Sequence, residues 1–340
     1  MSSTLPTSLD HQSPCQIRSQ PCPACYLCGA PGVPLYRGLT DRLFGAPGTW
    51  NFKRCPTSSC GLIWLDPMPQ QEDLRYAYSS YHTHHQPIPL RTKKGLAEFI
   101  ELILRKIHNF VLLATPICYE RERLHFMFVR GLPLGRILDV GCGNGNRLVS
   151  FQKLGWDAEG QEVDPNAASE ARNVSGVPVH LGPLEEVGFP DASFDVVTGS
   201  HVIEHAYDPV SLLKECRRIL RPEGILVITT PNGESYGHGR FRASWRGLEP
   251  PRHLHLFSRQ TLLQTAVQAG FVKCDTWTTA VNASGFVLGS YQNEAAASGQ
   301  KTQGANLKPR IMAAIYQFRT SVYHRRYPHS GEECILKATR

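Results

Sequence analysis

A glycine-rich turn near the middle of the chain most constrains its fold. Residues 137–146 read Ile-Leu-Asp-Val-Gly-Cys-Gly-Asn-Gly-Asn, so an apolar run ends in glycines, and helix-like residues 147–154 follow. Glycines let the backbone turn sharply and approach a ligand closely, and the free N–H groups at a helix start favour an anionic group. This order of strand, turn and helix predicts a nucleotide-like ligand at the end of a buried strand.

The spacing of the glycines separates two classes of enzyme. The dinucleotide fingerprint G-x-G-x-x-G would need glycine where this chain has Asn146, so a hydride-transferring enzyme is disfavoured. The string D-x-G-x-G-x-G instead resembles motif I of class I S-adenosylmethionine (SAM)-dependent methyltransferases, with Asp139 as its acid and Gly141, Gly143 and Gly145 as its glycines. The resemblance implies that Asp139 orients the methionine amino group of SAM and that the glycines let the backbone lie against the cofactor.

Strand and helix patterns alternate from residue 135 onward, which predicts an α/β fold with a doubly wound sheet. The predicted strands are 136–140, 158–163, 177–181, 194–199, 225–230, 270–278 and 334–338. The predicted helices between and after them include 209–220, 258–269 and 309–327. The resemblance implies a seven-stranded Rossmann-like methyltransferase sheet in which the last strand is antiparallel.

Three more residues are predicted to contact the cofactor. Glu162 follows the first strand by about 20 residues, where a carboxylate can accept both ribose hydroxyls of a nucleoside. The alternative is a solvated loop acid. The resemblance places Leu184 beside the adenine, although the Asp that is usual in that loop is absent. Ser200, at the end of the fourth predicted strand, completes the set.

The pattern His-x-x-Glu-His occurs at His201, Glu204 and His205. On a helix it would match the inverted zinc-peptidase motif. Here the pattern follows a predicted buried strand and is soon interrupted by Asp208-Pro209, which disfavours a peptidase. The segment also resembles ubiquinone-biosynthesis O-methyltransferases, in which an E-x-x-E-H pattern can hold a divalent ion, and here His201 replaces the first acid. Two hypotheses stay open: a catalytic role for Glu204 and His205, with or without a divalent ion, or hydrogen bonding by His205 near the cofactor.

A long segment, 234–257, is predicted at the carboxyl edge of the sheet, where such loops usually meet substrate. It contains Pro-Arg-His at residues 251–253, which resembles a corresponding methyltransferase segment. A neutral imidazole can take a proton from an acceptor hydroxyl, so His253 is the first candidate for a general base and His205 the second. The alternative for His253 is a structural hydrogen bond that anchors the loop.

The eleven cysteines include an N-terminal group with metal-ligand spacing. Two close pairs, each closed by a glycine, predict a tetrahedral structural zinc site formed by Cys25, Cys28, Cys55 and Cys60. Cys22 is an alternative to Cys28 as a ligand, because it lies three residues before Cys25. A closed four-thiolate site serves folding rather than catalysis. With residues 62–69, the region resembles the N-terminal zinc-ribbon lobe of some bacterial SAM methyltransferases.

Composition limits the partners and the location of the protein. The 340 residues carry 36 Lys and Arg against 29 Asp and Glu, a net charge of +7. The cations are scattered, and no basic stripe with interleaved aromatic residues indicates a nucleic-acid surface. The chain has no apolar run of about 18 residues and no apolar leader after a basic start. We therefore expect a soluble cytoplasmic protein without a transmembrane segment.

These patterns divide the chain into four parts: a disordered leader (1–21), the zinc-ribbon lobe (22–70), a helical cap or linker (71–130) and a SAM-dependent methyltransferase domain (131–340). Within the linker, residues 96–113 show the spacing of an amphipathic helix. Packing on a neighbouring domain is favoured for it over peripheral membrane contact. The linker also contains His82, His84 and His85, which could line a lid or bind a metal. Their polar, Pro-rich surroundings favour a solvated tether instead.

Taken together, the motifs predict SAM-dependent methyl transfer to oxygen of a small-molecule, sugar-linked or lipid-linked acceptor. Two other classes stay open. One is an RNA or DNA methyltransferase that uses its zinc ribbon and positive charge for binding. The other is a non-catalytic protein that binds SAM and zinc. The sequence does not identify the acceptor or the oligomeric state.

Overall fold

The computed structural model describes residues 16–78, 117–299 and 307–340. Its strands are β1 Ser19–Gln20, β2 Val33–Leu39, β3 Trp50–Arg54, β4 Ile63–Leu65, β5 Met68–Pro69, β6 Arg136–Val140, β7 Asp157–Glu162, β8 Val179–Leu181, β9 Phe194–Ser200, β10 Leu220–Pro231, β11 His255–Leu256, β12 Lys273–Thr279 and β13 Glu333–Thr339. Its α-helices are α1 Ile117–His125, α2 Asn146–Lys153, α3 Pro165–Ser175, α4 Leu184–Val187, α5 Pro209–Ile219, α6 Tyr236–Phe241, α7 Arg259–Gln268, α8 Ala283–Ala297 and α9 Leu307–Arg326. Short 3₁₀ helices cover Gln71–Ala77, Ile203–His205 and Arg242–Ser244.

A seven-stranded sheet forms the centre of the protein, in the order β12-β13-β10-β9-β6-β7-β8. Strands β10, β9, β6, β7 and β8 run parallel, whereas β13 pairs antiparallel with both β10 and β12. The prediction of a seven-stranded α/β sheet with an antiparallel final strand is therefore confirmed. Helices cover the sheet, and the side chains of Ile137 and Leu138 on β6 are fully buried, as expected for parallel strands covered on both faces.

The order of the strands defines where a ligand can bind. From β6 the chain moves outward to β7 and β8, and it then returns to the other side of β6 to form β9 and β10. The turns after β6 and β9 therefore diverge at one edge of the sheet and leave a crevice between them. In open α/β sheets, ligands bind in this crevice at the carboxyl ends of the strands.

A second sheet joins the N-terminal lobe to the central domain. Its four strands lie in the order β11-β4-β3-β2, and β11 belongs to the segment that follows β10 of the central sheet. Strand β11 pairs antiparallel with β4, and the Leu65 N–H donates to the Leu254 carbonyl at 3.0 Å. The lobe and the 234–257 segment are therefore parts of one hydrogen-bonded sheet. The sequence patterns did not predict this pairing.

The last residues of the predicted leader take part in the described fold. Ile17 is buried, β1 pairs with β5, and Arg18 forms a 2.7 Å ion pair with Asp73. Residues 221–224, between the predicted helix at 209–220 and the predicted strand at 225–230, lie within β10, at a register shift where Glu223 has a φ of 61°.

Several expectations concern residues that the structure does not describe. The predicted amphipathic helix at 96–113 and the histidines His82, His84 and His85 all lie outside the described residues. Among the helices of the described ranges, none is long and apolar enough to cross a membrane.

Candidate functional site

The glycine turn after β6 has a backbone that other residues could not adopt easily. Gly141, Gly143 and Gly145 have φ angles of 63°, 55° and 79°, in the left-handed region that favours glycine. A Cβ atom on Gly145 would lie 2.8 Å from the backbone of Ala171, and one on Gly141 would lie 2.5 Å from Val202. Gly141 and Gly145 therefore allow the turn to pack between α3 and the loop after β9, whereas Gly143 serves the backbone conformation alone.

Asp139 presents a buried carboxylate beneath this turn. The Thr198 hydroxyl donates to its Oδ1 at 2.6 Å, and a nitrogen of Arg147 lies 3.6 Å from the same oxygen. The other oxygen, Oδ2, is buried and has no hydrogen-bond partner among the described residues. Burial raises the pKa of Asp139. A buried carboxylate oxygen without a partner is costly, so the site fits an incoming ammonium group such as the amino group of SAM.

Glu162 lies at the end of β7 and is bonded to the glycine turn. Its Oε2 accepts from the Gly143 N–H at 2.9 Å, and its Oε1 accepts from the N–H groups of Val163 and Asp164 at 2.8 and 3.1 Å. The side chain is almost fully buried, so the interpretation as a solvated loop acid is wrong. A carboxylate retains lone pairs beyond these three bonds, so it can still accept from a ribose hydroxyl.

Replacing Glu162 with Gln is expected to weaken SAM binding by about tenfold to a hundredfold, the cost of losing a hydrogen bond to a charged group. Calorimetric titration of SAM measures the change. The matched control is Glu159→Gln on the same strand, where the carboxylate pairs with Arg136 and His180 instead. Equal SAM affinity in wild type and Glu162→Gln would contradict the ribose role.

The other two predicted cofactor residues, Leu184 and Ser200, differ in the side chains that they contact. Leu184 is the first residue of α4, and its side chain is buried in the apolar core with Leu138 and Val140. Ser200 ends β9, and its hydroxyl accepts from the Thr229 hydroxyl at 2.9 Å. Their contacts with adenine or cofactor stay predictions.

His201 follows β9 and is held between two buried carboxylates. Its Nδ1 lies 3.0 Å from Glu204 Oε1, and its Nε2 lies 2.7 Å from Glu333 Oε1. Burial alone would lower the pKa of the imidazole, but the two carboxylates outweigh it and raise the pKa of His201 to about 10. Burial acts against ionisation of Glu204 as well, yet His201 holds the pKa of that carboxyl at about 2. His201 is therefore a cation with both ring nitrogens engaged.

His205 and His253 form a second pair of imidazoles, with ring centroids 4.8 Å apart. His205 Nδ1 lies 2.9 Å from the Arg252 carbonyl and 3.1 Å from the Tyr78 hydroxyl. His253 Nδ1 lies 2.7 Å from the Gly247 carbonyl. Burial lowers the pKa of both imidazoles, and that of His253 falls well below 6.5. Because a carbonyl can only accept, Nδ1 of His253 carries the proton and Nε2 keeps its lone pair.

A cavity of about 440 Å³ opens beside these side chains at the carboxyl end of β10. Its polar and aromatic lining includes His201, Arg246, Glu249, His253, Phe286 and Glu333. Val202, which contacts the glycine turn, directly follows His201. The cavity and the predicted cofactor site therefore lie on adjacent turns at one edge of the sheet.

A buried arginine fixes the loop that carries His253. Arg252 is fully buried and donates to Glu249 at 2.9 Å, to the Ala77 carbonyl at 2.7 Å and to Asp41 at 2.7 Å. Two of these acceptors belong to the N-terminal part of the chain, so that part helps to position the loop. The sequence patterns singled out residues 251–253 but not Glu249, which lies only three residues before Arg252. They also missed Asp41 and Glu333, because partners so distant in sequence leave no local pattern.

The structure groups potential metal ligands twice among its described residues. Cys25, Cys28, Cys55 and Cys60 place their sulfur atoms within 4.8 Å of one another, with Cys28–Cys55 at 3.4 Å and Cys25–Cys60 at 3.6 Å. Cys22 is not part of this group, so Cys28 is the fourth member. Four thiols at these separations suit a tetrahedral zinc ion.

The second group is Glu204, His205 and His253. The divalent-ion prediction named His201 in place of His253, but both nitrogens of His201 are engaged by carboxylates. His201 and His205 also lie on a strand end and a 3₁₀ turn rather than on one helix, so the zinc-peptidase geometry does not occur.

Comparison with known proteins identifies the central region. A family profile described as "Methyltransferase domain" matches residues 113–275. A "Probable S-adenosylmethionine-dependent methyltransferase" of Mycolicibacterium smegmatis is 34% identical over 31% of this chain and 41% of its own length. A "Ubiquinone biosynthesis O-methyltransferase" of Parvibaculum lavamentivorans is 32% identical over 39% of this chain and 56% of its own. The chain thus spans about half the length of these curated relatives.

Among solved structures, a SAM-dependent methyltransferase from Archaeoglobus fulgidus is 18% identical, with a TM-score of 0.44 over 66% of this chain and 92% of its own. The range of the family profile covers β6, its glycine turn and the strands from β7 to β11. The chain therefore carries a methyltransferase domain over residues 113–275, and its sequence is similar to S-adenosylmethionine-dependent methyltransferases.

Proposed function

We propose that this protein transfers the methyl group of SAM to a hydroxyl oxygen of a small-molecule, sugar-linked or lipid-linked acceptor. The observation that carries the proposal is the placement of His253 on the wall of the 440 Å³ cavity. Its imidazole is buried and neutral, and the Gly247 carbonyl holds its proton on Nδ1. Similarity to a ubiquinone-biosynthesis O-methyltransferase supports oxygen as the acceptor atom.

The residues of the chain divide the work between binding and proton transfer. Asp139, the three glycines and Glu162 would hold SAM, with Leu184 and Ser200 beside its nucleoside. When bound, SAM supplies a methyl group already activated on a sulfonium, so positioning of the acceptor makes up much of the catalysis. The cavity would orient the acceptor hydroxyl, and His253 Nε2 would accept its proton. His205 is the second candidate for that role.

The dependence of activity on pH tests this assignment. The groups around His253 are His205, Glu204, Glu249 and Arg246, and burial dominates its lowered pKa. His253 stays neutral until the pH falls well below 6.5, so kcat/KM should decline only below that value. His201 has a pKa of about 10, and its loss of charge would leave Glu204 and Glu333 unpaired, so activity should also fall near pH 10. An acid limb centred above 6.5 would contradict the assignment.

A divalent ion is the competing account of the same cluster, because Glu204, His205 and His253 can each offer one ligand atom. A metal-assisted reaction would stop after treatment with a chelator and recover with Mg²⁺ or Mn²⁺. The general-base proposal predicts that activity survives chelation that leaves the thiolate site intact. Glu204 favours the base proposal, since its oxygens already bond to His201 and to the Thr230 hydroxyl at 2.9 Å.

For the N-terminal lobe, residues 22–70, we propose a structural zinc ion bound by the four grouped cysteines, and for residues 131–340 the methyltransferase domain. Residues 71–130 would link the two. A nucleic-acid substrate is the alternative function. It would require strongly salt-dependent RNA or DNA binding, which filter binding at two salt concentrations measures directly.

A further inference from the structure

The outward side of α9 is unusually apolar. Fifteen large hydrophobic side chains are exposed in the described residues. Six of them lie on α9 and a seventh, Tyr327, directly follows it, so the exposure is concentrated at this helix. We call this set the α9 face: Ile311, Met312, Ile315, Phe318, Val322, Tyr323 and Tyr327. Ile311, Ile315, Phe318 and Val322 follow one another at spacings of four, three and four residues, which places them on one side of the helix.

The inward side of the same helix combines polar and apolar residues. Gln317, Thr320 and Ser321 are buried there, and Ala313 and Tyr316 join the apolar core. The Gln317 side chain donates to the Ala280 carbonyl at 2.6 Å and accepts from the Ser284 N–H at 2.9 Å. Hydrogen bonds and apolar packing therefore hold α9 in place, and the α9 face is directed outward by the fold. An exposed apolar patch of this extent marks an interaction surface.

The positive charge of α9 indicates an anionic partner for the α9 face. Residues 307–326 include no Asp or Glu, while Arg319, Arg325 and Arg326 are exposed and form no ion pair with any other described residue. Two α9 faces from separate copies would bring these cations together without any carboxylate between them. An amphipathic surface with apolar side chains and unpaired cations suits the interface of an anionic bilayer. We infer that the α9 face docks the protein on anionic membranes.

One helix, α8, separates α9 from the cavity. Helix α8 packs against α9, and its residues Ser284, Gly285 and Phe286 line the cavity. A docked protein would therefore keep its cavity one helix away from the lipid. If the proposed function holds, this arrangement favours a lipid-linked or otherwise membrane-borne acceptor; the docking itself does not depend on catalysis.

Vesicle sedimentation of the full chain, without SAM or acceptor, tests the docking. The protein should pellet with vesicles of phosphatidylglycerol and phosphatidylcholine and bind pure phosphatidylcholine at least about tenfold more weakly. Raising the salt concentration should also weaken binding, because exposed charges are screened. Absence of binding to the anionic vesicles would overturn the inference whatever the outcome of activity assays.

Two double variants assign the binding to the α9 face. Ile315→Asp with Phe318→Asp should lower vesicle affinity by at least about tenfold. Its control places Asp at Val267 and Val272, which lie outside the α9 face and are more exposed than Ile315 and Phe318. Arg319→Glu with Arg325→Glu should have a similar effect, with Arg37→Glu and Arg42→Glu as its control. This second variant leaves the apolar side chains in place. If circular dichroism shows that the first variant is unfolded, the second variant tests whether the α9 face binds the vesicles.

Two results would contradict membrane docking through the α9 face. Unchanged vesicle binding in both α9 variants would show that another surface binds the membrane, and it would overturn the inference. A wild-type dimer in lipid-free solution that the Ile315→Asp, Phe318→Asp variant converts to monomer, without vesicle binding by either, would assign the face to a second copy of the chain.

Discussion

Replacing His253 with Asn is expected to lower the turnover number by about 10²- to 10⁴-fold, the usual contribution of a general base, while SAM affinity changes little. Asn can still donate to the Gly247 carbonyl, which His253 Nδ1 contacts at 2.7 Å, but it has no group equivalent to a basic Nε2. The variant therefore separates proton transfer from anchoring of the loop. Single-turnover kinetics and calorimetric titration of SAM measure the two effects independently.

The matched control is His255→Asn. His255 is also buried with a lowered pKa, and its Nδ1 lies 3.2 Å from the Ala206 carbonyl, but it does not line the cavity. This change should leave turnover within about fivefold of wild type, given the usual modest cost of a single hydrogen bond. If His253→Asn retains wild-type turnover, or loses SAM binding and turnover in equal proportion, His253 is a structural anchor and the base assignment is wrong.

Removing the proposed zinc ion should have the largest effect on stability. Structural zinc in small domains contributes on the order of 10 kcal/mol of apparent binding free energy, and that energy supports folding. Cys28→Ser is expected to lower the metal content from about one zinc per chain and to unfold the strands β2 to β4. Elemental analysis of purified protein measures the metal, and thermal unfolding followed by circular dichroism measures the stability.

Cys22→Ser supplies the control for this prediction, since Cys22 lies outside the group of four sulfur atoms. Equal zinc content and stability in wild type and Cys22→Ser are expected. Loss of zinc in Cys22→Ser but not in Cys28→Ser would show that the first pair of ligands is Cys22 and Cys25. Folded wild-type protein without metal would refute the zinc site itself.

The two sites are mechanically connected. Strand β11, two residues after His253, pairs with β4 of the lobe, and Arg252 reaches Asp41. Unfolding the lobe would therefore release the loop that carries His253. We expect the Cys28→Ser variant to lose turnover more than SAM affinity, because Asp139 and Glu162 lie on strands of the other sheet.

The sequence patterns predicted those features of the protein that neighbouring residues in the sequence determine. The strand ending at Asp139, the positive-φ glycines and the carboxylate at the end of β7 follow from residue type and spacing, and the structure brings Asp139, Glu162 and the glycine turn together. The four cysteines were also grouped correctly, because two close pairs with glycine turns constrain a metal site strongly.

Distant pairing was beyond such patterns. Nothing near His201 in sequence indicates that Glu333 would occupy its second nitrogen and remove it as a metal ligand. The exchange of His201 for His253 in the Glu204–His205 group has the same origin. Likewise, the short strand β1 at the end of the expected leader pairs with β5, about 50 residues later, and no local pattern indicates that pairing.

Methyl transfer from SAM with an isotopically labelled methyl group, supplied to a cell extract and followed by mass spectrometry of the products, tests the central claim most directly. The account predicts a hydroxyl-bearing acceptor that gains one labelled methyl group on oxygen with wild-type protein, and far less of that product with His253→Asn. Wild-type protein that binds SAM but methylates no compound in the extract, or that labels only nucleic acid, would contradict it.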